Sequence, residues 1–167
     1  MISVNWEHAK AYIAWVSRKT GKSYRLLSEA KREYVTRAGM TTPFWRGSSI
    51  TPKQANYVGS AEPYKGGGAK GEYRGAHGAG RQLRAELIWI IPGARQCREW
   101  TEDCRYDSNT GNPGDGRART TGECGSRVIR GGSWYADPQV RAASRDGEDA
   151  GTQVSIQGFR VARTLSP

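Results

Sequence analysis

The residues able to do chemistry in this chain are few, and their spacing restricts what they can do. Cysteine occurs at Cys97, Cys104 and Cys124, and histidine only at His8 and His77. The two histidines are too few for a three-histidine iron site, and no His-Glu-x-x-His or Ser-His-Asp pattern is present. His8 follows Glu7 on a helical stretch and reads as a surface residue. The densest recognition chemistry is Trp134, Tyr135, Asp137, Arg141 and Arg145, aromatic and charged groups close in sequence. Aromatic-plus-arginine clusters are common at binding hot spots. The opposing reading makes Trp134 a core residue and lets the arginines hold loop carbonyls.

These groups must be positioned by a chain with little regular structure. Residues 5–19 read as an amphipathic helix, with Trp6, Ala9, Ile13 and Val16 at helical spacing and Tyr12 and Trp15 widening the stripe. Thr20-Gly21-Lys22 stops it. Residues 24–27 are a short extended lead-in to a second helix. Ser28 can cap that helix, Glu29 complements its positive end, and Gly39 terminates it after about Ala38. Residues 41–75 show no sustained period and read as long ordered loops. From Glu99 onward short strands are expected at 99–102, 127–134 and 158–163. Two early helices followed by short antiparallel strands and loops give an α+β class.

Composition agrees. The 167 residues suit one domain. The 22 glycines favour loops, and 6 Trp with 8 Tyr supply large buried areas. The net charge of +10 comes from 26 scattered basic residues interleaved with 16 acids. With no basic block or RNA-binding signature, it reads as a diffuse basic surface and not a specific nucleic-acid site. No apolar run reaches the roughly 18 residues of a membrane span. The opening MISVNWEHAK has no basic stretch followed by an apolar one, so no export signal is read there.

Several segments in fixed order carry a resemblance. VNWEHAKAYIAWVSRKTGKSYRLLSEAKREYVTRAG is followed by FWRGSSITPKQANY, GEYRG, REWTEDC, RVIRGGSW and QGFRVARTL. Together these resemble the formylglycine-generating-enzyme, or sulfatase-modifying-factor, family. The resemblance implies a C-type-lectin-like variant fold. It also implies a single domain, 1–167, that is incomplete at its N-terminus, because the family's opening strands and their "MG" segment do not precede Met1. Two positions depart from the family's second helix: Leu27 stands for its Pro and Arg32 for its Trp. The aliphatic stem of Arg32 can cover part of the gap left by the Trp.

Enzymes of that family hold copper on two cysteines after the GGS segment. By position, Ala136 and Arg141 stand there, and neither ligates copper. The resemblance therefore implies a non-catalytic ligand-binding or protein-interaction domain without copper, its unidentified ligand or protein partner meeting the 134–157 loop face. The alternative is an oxidoreductase, of sulfatase-modifying or non-haem-iron type, whose metal ligands lie outside this chain. Family members also carry structural calcium. Asn56 and Glu99 match its ligands and Tyr57 offers a carbonyl, implying one structural calcium; partners of a second fall at Pro92 and Arg95. Related sequences carry a cysteine pair spaced like Cys104 and Cys124, which implies a disulfide. Its pairing would favour an oxidising compartment and an exported parent protein.

The resemblance lapses over residues 76–97, AHGAGRQLRAELIWIIPGARQC. Back-translated with permitted codons and read one base later, the stretch gives RTVPVGSFAPNSFGLYQAPGN, similar to the family block of the same length. We read it as rewritten by a pair of compensating frameshifts. It is expected to be irregular, with Leu87-Ile88-Trp89-Ile90-Ile91 a buried strand or an aggregation-prone run, and with Cys97 outside any pair.

Overall fold

The computed structural model describes residues 2–44, 47–50, 97–108, 111–133, 135 and 141–164. The chain divides into two compact units: residues 1–32, 98–130 and 145–167 form the first, and 33–97 with 131–144 the second.

Helix α1 runs Trp6–Thr20. Asn5 caps it by accepting the His8 amide at 2.8 Å, and Gly21, at φ 66°, ends it in the left-handed region open to glycine. Its buried face is Trp6, Ala9 and Ile13, matching the expected stripe. Tyr12 and Trp15 lie at its outer margin: Trp15 is 46% exposed, and Tyr12 meets Phe159 edge-on at 5.6 Å. Helix α2, Glu29–Arg37, starts on Ser28, whose hydroxyl accepts the Lys31 amide and donates to the Gly116 carbonyl at 2.6 Å. It closes through Ala38 (φ 46°) and Gly39 (φ 85°).

The strands are β1 Tyr24–Leu26, β2 Arg98–Cys104, β3 Ser126–Arg130, β4 Arg145–Asp149, β5 Gln157–Phe159 and β6 Val161–Arg163. One sheet has the order β4-β3-β2-β5, and β1 pairs with β6 in a two-stranded sheet. Most pairings are antiparallel as expected; the exception is β5, which runs parallel to β2, with Glu99 opposite Gly158. The expected strand at 158–163 is two strands, because the chain leaves β2 at Arg160 and joins β1. The expected 127–134 strand stops early, at Gly131 with φ 85°. Strand β4 was not expected from its sequence, RDGED.

The core of the first unit gathers Trp6, Ala9, Ile13, Leu26, Trp100 and Ile129, with Tyr24, Phe159 and Val161 against it. Both buried indoles are satisfied: Trp6 Nε1 donates to Thr101 O at 2.9 Å and Trp100 Nε1 to Val4 O at 2.8 Å. That removes the cost of burying an unpaired N–H, about 1–3 kcal/mol each. The Trp6 ring also carries the Arg127 guanidinium at 3.8 Å. No helix among the described residues is long and apolar enough to cross a membrane.

Candidate functional site

Strand β2 organises the polar chemistry of the first unit. Its sequence REWTEDC places Trp100 in the apolar core and holds three acids, each with a partner brought from elsewhere in the chain. Glu102 takes Lys10 at 2.7 Å. Asp103 accepts the Glu29 amide at 2.7 Å and the Arg119 amide at 2.9 Å, so it supplements Ser28 at the start of α2. Glu29 in turn pairs with Arg145 at 2.6 Å.

Glu99 is the most enclosed of these acids, 4% exposed. Its Oε2 accepts Arg32 Nε at 2.6 Å and Arg160 Nε at 3.3 Å, and its Oε1 accepts Arg160 Nη2 at 3.0 Å. Arg32 is itself buried. Its guanidinium neutralises a carboxylate in the interior.

The two buried acids titrate in opposite directions. Burial pushes the Glu99 carboxyl up, but Arg32 and Arg160 more than reverse this and leave it below its ordinary value. Burial also pushes Asp103 up, helped by the Glu29 charge; the Arg119 and Glu29 amides only partly offset it, so Asp103 stays above its ordinary value. The linkage signs follow. Glu99 stabilises the fold above the unfolded glutamate pKa, about 4.3, and that contribution is lost as pH falls through its folded value. The Asp103 contribution is present below the unfolded aspartate pKa and is lost as pH rises through its folded value. Carboxyl carbon NMR titration is expected to place Asp103 above and Glu99 below their unfolded values. The reverse displacement of either would contradict these environments.

The loop chemistry lies in the second unit. Gly131 N–H donates to Ser144 O at 3.1 Å and closes the base of the segment between them, while Ser144 N–H turns back to Arg141 O at 3.0 Å. Tyr135 stands on this segment, 67% exposed, and Arg141 is half-buried. Ser133, on the same segment, is fully buried, and its hydroxyl has no hydrogen-bond partner among the described residues. Trp134 and Asp137 lie outside the described residues, as does Ala136. Arg145 belongs to the first unit. Besides Glu29 it donates to the Tyr106 carbonyl at 2.8 Å, which is the loop-carbonyl role that the opposing reading gave to these arginines.

Cys104 and Cys124 are joined in a disulfide, Cα–Cα 4.8 Å, as the resemblance implied. Cys97 is outside it. The rest of the 76–97 stretch, with Asn56 and Tyr57, lies outside the described residues. At Glu99 the surroundings do not fit calcium: both carboxylate oxygens already accept guanidinium hydrogens, and two positive charges face one negative. No cluster of three or more His, Cys, Asp or Glu suited to a metal occurs among the described residues.

A mixed fold of two helices and curled, mainly antiparallel sheets is the C-type-lectin-like arrangement of formylglycine-generating-enzyme-like proteins, and solved structures share it. The structure of PvdO from Pseudomonas aeruginosa superposes with a TM-score of 0.73 at 33% identity, covering 98% of this chain and 61% of that one. Treponema denticola variable protein 1 shares the fold at a TM-score of 0.66 and 19% identity, covering 98% of this chain and 70% of that one. Comparison with curated proteins gave no match. The sulfatase-modifying factor enzyme 1-like domain family matches residues 1–165, and the chain belongs to it.

Proposed function

We propose that this chain is a non-catalytic member of its family, a ligand-binding or protein-interaction domain. The observation that carries the proposal is the thiol inventory. Ala136 and Arg141 stand where the copper cysteines of the enzymes are expected, and Cys104 and Cys124 are bonded to each other. A disulfide offers copper no thiolate, and one further cysteine does not make a pair. On the binding side, support comes from the segment closed at Gly131 and Ser144. It presents an exposed Tyr135 and a half-buried Arg141. Tyr135, Arg141, Trp134 and Asp137 are the residues we assign to recognition. Arg145 is held in its ion pair.

Metal analysis of the purified chain, with electron paramagnetic resonance for redox state, tests this. Copper and iron are expected far below one per chain. Stoichiometric copper or iron would favour the oxidoreductase reading.

A further inference from the structure

We propose that Arg32 is a built-in counter-cation that replaces a divalent metal at Glu99, making this corner of the chain independent of calcium. A buried carboxylate needs positive charge close by, and a chain can supply it either as a bound metal ion or as a guanidinium. Here the guanidinium is present. Arg32 Nε lies 2.6 Å from Glu99 Oε2, a charge-assisted distance, and Arg160 covers Oε1 at 3.0 Å.

Three features make the replacement durable. First, Arg32 is only 6% exposed and Glu99 4%, so neither side chain can swing into water without unpacking its surroundings. Second, an arginine cannot release its charge by deprotonation, as a lysine or histidine would, so a metal cannot displace it by stripping a proton. Third, calcium takes about 6–8 oxygens at 2.3–2.6 Å, and a carboxylate that already accepts three guanidinium hydrogen bonds, with two positive charges facing its one negative, offers a further cation little attraction. Arg32 occupies a position where related sequences carry a neutral tryptophan. Arg32, on the first turns of α2, and Arg160 together supply the charge that closes the site.

The test uses the full chain, labelled with nitrogen-15. The Nε–Hε correlation of Arg32, assigned by its loss in Arg32→Lys, is followed while calcium chloride is raised to about 10 mM, above the roughly millimolar Kd of the weakest calcium modules. The resonance is expected to stay fixed throughout. Equilibrium dialysis with radioactive calcium is run in parallel. Calcium bound at some other place, with the Arg32 resonance unmoved, also supports the proposal. A saturable shift of that resonance with about one calcium bound per chain would overturn it. If Arg32→Lys does not fold, the Arg32 resonance is assigned through its bonds in the unmodified chain, and the same criterion applies to it.

Discussion

Glu99→Gln is expected to cost about 3–5 kcal/mol of folding stability at neutral pH, the loss typical of removing one member of a buried ion pair. The substitution preserves shape, so its cost is electrostatic. It leaves the guanidiniums of Arg32 and Arg160 facing a neutral amide, with Arg32 unable to reach solvent. An amide nitrogen also cannot accept hydrogen bonds, so one guanidinium donor loses its acceptor. Arg32→Met keeps the aliphatic volume and leaves Glu99 with Arg160, so the expected loss is smaller, about 1.5–3 kcal/mol, the range for a hydrogen bond to a charged group. Urea unfolding of the two variants and the parent gives both numbers. A loss below 1 kcal/mol for Glu99→Gln would mean that the three charges are solvated rather than buried, and the ordering of the two variants checks the same point.

The disulfide carries the second large effect. Cys104 sits at the end of β2 and Cys124 just before β3, closing a loop at a sequence separation of 20. In the chain-entropy model such a closure is worth about 3 kcal/mol, through restriction of the unfolded chain. The loop also carries contacts that start α2: the Gly116 carbonyl takes the Ser28 hydroxyl, and the Arg119 amide binds Asp103, which in turn holds the Glu29 amide. Reduction is therefore expected to lower stability by about 3 kcal/mol. It should also speed amide exchange at Glu29 and Lys31 ahead of the core strands. Before reduction, thiol titration in denaturant is expected to find a single reactive cysteine, Cys97. Three thiols, or identical urea midpoints with and without reductant, would contradict the crosslink.

The helices were readable because their signals are local. The Asn5 and Ser28 caps, the Gly21 and Gly39 stops, and the Trp6, Ala9 and Ile13 spacing lie within a few residues of what they determine. Strand β4 was not readable: its sequence RDGED has no apolar alternation, and it is recruited by backbone pairing with β3. Residues 158–163 read as one short strand, and nothing local shows that Arg160 leaves the sheet to reach Glu99, 61 residues away. The Arg32–Glu99 pair spans 67 residues and was equally hidden, although the arginine in place of an expected tryptophan was a visible sign of altered packing. Of the residues proposed for recognition, the sequence placed Tyr135 and Arg141 on a loop segment, as the structure does. It could not separate them from Arg145, because all three are polar or aromatic residues on one stretch. The ion pair with Glu29 that distinguishes Arg145 comes from 116 residues upstream.

The central claim, that this member of the family lacks the enzymes' thiol chemistry, is tested most directly by offering it their reaction. The purified chain is incubated with Cu(I), oxygen and a cysteine-containing sulfatase peptide, and the peptide is analysed by mass spectrometry for conversion of its cysteine to an aldehyde. No aldehyde is expected, because Ala136 and Arg141 supply no thiolate and Cys104 is bonded to Cys124. Aldehyde at the level given by a formylglycine-generating enzyme run alongside would contradict it.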